Sequence, residues 1–181
     1  MSKKTTQDKT EEQTPTTSEL DKRPWLMDWL MEIGQDLAII NHCNEKLEYI
    51  SKDIANAETE EEVDELAKKM DAVYDLKEAA YDGYNIKMTF IFDSIPGAAR
   101  DQRCVLKHGC NVITLAMEVD DAMHGTISEM NLRNAYRIFA LSVSIALGFE
   151  FTDCIRCIYD GVKTASDKAV KSRLGKEIKR V

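Results

Sequence analysis

Turn-forming residues are scarce in this chain: its 181 residues include only 8 Gly and 3 Pro. A β-sandwich or barrel needs a turn signal roughly every 8–12 residues, so the scarcity argues against β-rich folds and for long helices. Long apolar runs are missing too. The longest, Ile138 to Phe149, stops well short of the roughly 18 apolar residues that a membrane span needs, and the first residues lack the apolar stretch of a signal peptide. A soluble cytoplasmic protein without membrane contact is the expectation. No Gly-rich phosphate loop, nucleophile elbow or Ser/His/Asp order is present, which excludes the commonest nucleotide-binding and hydrolase motifs. The five cysteines sit in helix-like segments of a chain with no secretory signal, so free thiols are expected instead of a disulfide framework.

Charge is present but unevenly divided. The net −8 resolves into −4 over residues 1–57 (7 basic, 11 acidic), −7 over 58–97 (4 and 11), −2 over 98–161 (6 and 8) and +5 over 162–181 (7 and 2). One acidic segment is thus opposed by a short basic tail, giving an electrostatically polarised molecule.

Residues 1–18 are polar and rich in Thr and alternating charge, and they bury too little surface to offset chain entropy. They are expected to form a disordered leader, followed by a helical domain over 19–161 and a basic tail over 162–181. The first helix opens near Ser18 or Asp21 with Pro24 in its first turn. Its apolar seam is Leu26, Leu30, Ile33, Leu37, Ile40, Asn44, Leu47, Ser51 and Ile54, an unbroken alternation of four- and three-residue steps. Thr59-x-x-Glu62 is a capping box that starts the second helix, with a kink expected at Asp82-Gly83. The third helix is expected from Ala98 to His124 with Val105, His108, Val112, Leu115, Val119 and Ala122 as its stripe. The fourth is expected from Thr126-x-x-Glu129 to Tyr159, buried from Ile138 to Phe149 because it is apolar on every face there. The fold class is therefore all-α, an antiparallel four-helix bundle. The competing reading makes strands of 84–92, 111–119 and 139–151, which also alternate, but no hairpin turns separate them.

Several residue groups carry chemical promise. Cys154 and Cys157, at i and i+3, are able to share a metal or a redox step, although they lie late in their helix and away from the N-terminal amides that lower a thiolate pKa. No cofactor or metal is expected, and the three histidines read as capping or solvent-facing. Glu62 and Glu65 on the second helix, with Glu118 and Asp121 on the third, form two carboxylate pairs suited to Mg²⁺ and a triphosphate if packing brings them together. Their spacing resembles the Glu-x-x-Glu and Glu-x-x-Asp pairs of all-α, MazG-like nucleotide pyrophosphohydrolases, and that resemblance implies an Mg-dependent nucleotide hydrolase.

Partner-binding features are more numerous. Glu61, Glu65, Asp71, Asp75 and Glu78 line the acidic second helix, and Trp25 and Trp29 stand one turn apart on the first. Lys168, Lys171, Arg173, Lys176, Lys179 and Arg180 give the tail a capacity for nucleic-acid phosphates, with no aromatic residue for base stacking. Asn44 on an apolar seam is the kind of residue that sets register or oligomeric state, so a homo-oligomer is a further expectation. In general profile the chain resembles small acidic helical proteins of phages and mobile elements, including nuclease inhibitors such as anti-CRISPR proteins, although it shares no motif with them. The expected function is a non-enzymatic interaction protein, an inhibitor or adaptor that engages a basic, nucleic-acid-binding protein partner through the acidic helix.

Overall fold

A computed structural model describes the backbone of residues 24–122 and 129–166, with side chains over 25–117 and 132–165. It contains five helices and, among the described residues, no strand: α1 (Pro24–Ala55), α2 (Glu60–Ser94), α3 (Arg100–Ala122), α4 (Glu129–Leu147) and α5 (Phe151–Ser166). The all-α expectation holds, and the three segments that alternate like strands are helical or, at 148–150, a turn. The leader over 1–18 and all of the tail past Ser166 lie outside the described residues.

α1 organises the rest. Leu26, Leu30, Ile33, Leu37, Ile40, Asn44 and Leu47 are all buried, as the heptad steps predict, and α1 packs against α2, α3 and α5. Beyond Ile50 the burial stops: Ser51, Lys52 and Asp53 are exposed. α2 runs back along α1 with Lys87 beside Asp36 and Phe90 beside Trp29, and its buried residues begin only at Val73. The end of α1 and the first turns of α2 therefore form a two-helix arm with no buried residue from Ser51 to Ala72.

Local chemistry sets the helix ends. The Thr59 hydroxyl accepts from the Glu62 amide at 3.2 Å, and the Glu62 carboxylate accepts from the Glu58 amide at 3.0 Å. This capping arrangement satisfies two amides, with Glu62 reaching one residue further back than in the usual box. α2 continues through Asp82-Gly83, where a kink was expected, as one helix of 35 residues. It ends before Pro96, where the Arg103 guanidinium donates two bonds to the Ile95 carbonyl at 2.8 and 3.2 Å.

The predicted fourth helix is in fact two. Gly148 takes φ +73°, a left-handed conformation that an L side chain rarely adopts, and the Phe149 amide returns to the Ser144 carbonyl at 3.1 Å. The Ser144 hydroxyl, donating to the Phe149 carbonyl at 2.6 Å, completes the stop. The chain turns and α5 packs back onto α1. A four-helix bundle was expected because a long apolar run conceals this single glycine.

α5 meets α1 at a glycine pair. A Cβ on Gly161 would lie 3.1 Å from the Gly34 Cα and deep inside contact distance of the Met31 carbonyl oxygen, and one on Gly34 would run into the Ile158 carbonyl. Gly161, two residues past the Tyr159 end expected for the fourth helix, lies inside α5. A glycine inside a helix costs roughly 0.5–1 kcal/mol relative to alanine, so replacing it would ordinarily stabilise. Here backbone contact reverses that sign.

Gly161→Ala is expected to lower stability by about 1–3 kcal/mol, the range for overpacking a filled interior, or roughly 2–12 °C in Tm. Gly97→Ala, where a Cβ meets nothing within 4 Å, should leave Tm almost unchanged. Thermal unfolding followed by circular dichroism compares the two.

Candidate functional site

The outer face of α2 is the most continuous charged surface among the described residues. Glu61, Glu65, Asp71, Asp75 and Glu78 are all exposed, and the face continues with exposed Asp82 and Asp93. α1 is the main neighbour of α2, so the side of α2 turned away from it is open. Apolar side chains interrupt the acidic stripe: Tyr74, Ile86 and Phe90 are 48%, 67% and 54% exposed.

Phe90 joins the two tryptophans. Trp29 lies 4.6 Å from Phe90 between ring centroids, and Trp25 stands edge-on to both at 6.4 and 6.5 Å. Trp25 is 41% exposed and Trp29 is half-buried, so the pair forms the rim and floor of an aromatic patch at the seam of α1 and α2. Exposed Asp28, Glu32 and Asp93 flank it in sequence. The nearby cation, Lys87, is largely buried and bonds Asp36 at 2.6 Å, with Glu32 at 3.6 Å. Lys87 is thereby occupied inside the seam, and the outward face keeps its negative sign. Ile86 and Phe90 escaped the sequence reading because they continue an alternation read as a strand or a helix stripe. The clue was that Phe90 falls off the buried positions Tyr84, Met88 and Ile91.

Only one of the two carboxylate pairs lies wholly within the described residues. Glu62 and Glu65 are exposed near the tip of the arm, and the side chains of Glu118 and Asp121 lie outside the described residues. Asn44 of α1 is level with Met117 of α3, and the Asp36–Lys87 pairing brings α2 residues near 79 to that level. Glu62 is some seventeen residues further along, roughly 25 Å at 1.5 Å per residue. His124 is likewise outside the described residues.

Cysteines and other buried polar groups complete the inventory. Cys43, Cys154 and Cys157 are buried, Cys110 is partly so and Cys104 is exposed; all five are free thiols. Burial pushes Cys43 up to about 12, against a small pull from Lys77, and pushes Cys154 up to about 12 with help from Cys157 and Asp153. Burial also raises Cys157, and it lifts Cys110 to about 11 although the Tyr84 hydroxyl opposes the shift. Cys154, expected late in its helix, instead lies in the first turn of α5, and there burial outweighs the helix N-terminus and keeps its thiol pKa high. Among the described residues no three His, Cys, Asp or Glu side chains converge to hold a metal ion. Asn44, on its predicted seam position, donates to the Met117 carbonyl at 3.4 Å, and its Oδ1 has no hydrogen-bond partner among the described residues. The Tyr84 hydroxyl is buried near Cys110 and Thr114 without a hydrogen bond of ordinary geometry; burial raises its pKa.

A cleft of about 420 Å³ opens between α1, α4 and α5, with Tyr136, Tyr159, Leu132 and Val162 as walls and His42, Arg133 and Lys163 among its polar lining. His42, expected to face solvent, is half-buried here and pairs with Glu45 at 3.2 Å. A nucleophile with a base in reach is not assembled among these residues. The basic tail residues Lys168, Lys171, Arg173, Lys176, Lys179 and Arg180 lie outside the described residues.

Comparison of the chain with protein-family models, with curated proteins and with solved structures returns no match. No described helix is long and apolar enough to cross a membrane.

The raised thiols predict a pH dependence. A thiol that titrates near 9 when unfolded and near 12 when folded stabilises the protein fully below pH 9, and that contribution is lost as pH rises toward 12. Chemical unfolding at several pH values should show stability falling across that window, less steeply in Cys43→Ala/Cys154→Ala. Alkylation of the native protein should modify Cys104 well before Cys43 or Cys154.

Proposed function

We propose that the protein acts by binding another macromolecule, docking a basic protein surface onto the outer face of α2 and the adjoining aromatic patch, as an inhibitor or adaptor would. The observation that carries this reading is the exposure of Glu61, Glu65, Asp71, Asp75 and Glu78 along one helix face whose far end holds Phe90, Trp25 and Trp29. The two parts serve different steps. Aligned carboxylates steer a basic partner and raise its association rate, while half-exposed tryptophan and phenylalanine supply the apolar contact that slows dissociation. The same field repels nucleic-acid phosphates, so the partner of this face is a cationic protein, and one that binds nucleic acid itself carries the matching charge.

The arm suits this work for a further reason. Its residues contribute little to the core, so a face can be given over to carboxylates there at small expense in folding free energy. Like charges along α2 repel one another, and a basic partner relieves that repulsion on binding.

The experiment is a comparison of captured partners and their binding kinetics. Glu61→Lys/Glu65→Lys/Asp75→Lys should slow association roughly tenfold or more at low salt and flatten its salt dependence, whereas Trp25→Ala/Phe90→Ala should mainly speed dissociation. Binding of the same partner at unchanged rates by the charge-reversed protein, with helicity intact, would show that α2 is only a solvated face.

A further inference from the structure

α4 is apolar on two opposite faces, and the described chain covers one of them. Tyr136, Phe139, Ala140 and Val143 are buried in the core. On the other side Ile138, Leu141 and Ile145 are 46%, 47% and 51% exposed, although this helix was expected to be buried all round. With Asn134 they step by four, three and four residues, the repeat by which one helix seats its side chains between those of another. A helix apolar all round belongs in an interior. Here the interior is half supplied.

The neighbouring helix extends the same surface. Gly109 of α3 lies against Ser142 of α4, and on this antiparallel register Leu115, 58% exposed, stands level with Tyr136. Leu115 was placed on the core stripe of α3, with His108; both are exposed, and Leu106, Ile113 and Met117 are buried instead. The stripe was misassigned because Gly109 and Cys110 interrupt the true seam while an equally regular apolar repeat runs along the outer side.

We propose that two copies of this chain pair through the outward faces of α3 and α4, with α4 antiparallel to its counterpart. Three observations select a second copy. The seam is a self-complementary repeat, as a two-fold interface requires. Charge does not oppose it despite the net −8, because the exposed polar residues of its described part carry both signs: Lys107 and Arg137 against Asp101, with His108, Asn111 and Asn134 between them and Glu150 just past its end. Antiparallel pairing brings Arg137 of each copy toward the carbonyl end of the other's α4, where Glu150 adds to the negative end of the helix dipole, whereas parallel pairing sets Arg137 against Arg137. Size also fits. The α4 seam spans about 17 Å from Asn134 to Ile145, three helical turns, exposed Leu115 of α3 widens it, and the roughly 800 Å² per partner of a standard interface calls for both helices. The acidic face of α2 lies outside this contact, so a dimer would present it twice.

Sedimentation equilibrium of the full chain tests the pairing. The wild type should have twice the mass of the 20.5 kDa chain, and Leu141→Arg, or Ile145→Lys on the same exposed seam, should be monomeric with unchanged helicity. Arg137→Glu and Glu150→Arg should each weaken the dimer at least tenfold, and the double reversal should regain most of the loss. A wild type that stays monomeric at micromolar concentrations, a dimer indifferent to both seam variants, or a dimer lost instead in Trp25→Ala/Phe90→Ala would overturn the interface. A double reversal no better than either single would overturn the antiparallel arrangement.

Discussion

Backbone contact between α1 and α5 is the constraint from which the rest of the architecture follows. Gly34 and Gly161 let the two helices meet with no side chain between them, and the carbonyls of Met31 and Ile158 occupy the space that two β-carbons would need. Interiors packed at crystal-like density tolerate no added atom at such a point. For Gly161 to reach Gly34 the chain must turn after α4. The left-handed Gly148 makes that turn, and it leaves the outward side of α4 uncovered. The α1, α4 and α5 cleft is a product of the same crossing, since α5 holds Tyr159, Val162 and Lys163 against α1 from there.

α1 belongs to two environments along its length. Its first two thirds are surrounded, and the buried amide of Asn44, held to the Met117 carbonyl, sits near the boundary. Past Ile50 no residue of α1 is buried. An orphan buried oxygen costs about 1–3 kcal/mol, so an amide on this seam stabilises the fold less than an apolar side chain of the same volume. Beyond it the arm is freed from core packing, and that is the stretch of the molecule where carboxylates accumulate. The division of charge seen in the sequence thus coincides with a division in burial.

What was legible in the sequence were features whose cause is local. The seam from Leu26 to Leu47 follows from its spacing, and the Thr59 cap follows from a hydroxyl three residues before Glu62. Features that arise between elements were hidden. Gly34 and Gly161 look like ordinary helix glycines until the two helices are laid together, and Gly148 is lost in an apolar run. On α3 two stripes of equal period compete, and the one holding Gly109 and Cys110 wins because small residues allow α4 to approach. For the candidate surface the carboxylates and tryptophans were readable as types. Their union with Phe90, and the confinement of Lys87 by Asp36, required the pairing of α1 with α2.

A rigid centre built on the α1–α5 crossing carries an arm, residues 51–72, in which no side chain is buried. Hydrogen exchange resolved along the chain tests this most directly. Amides of 30–47 and 155–165 are expected to exchange only through global unfolding, while those of 56–72 exchange orders of magnitude faster through local opening. Equal protection of the arm and the crossing would contradict it.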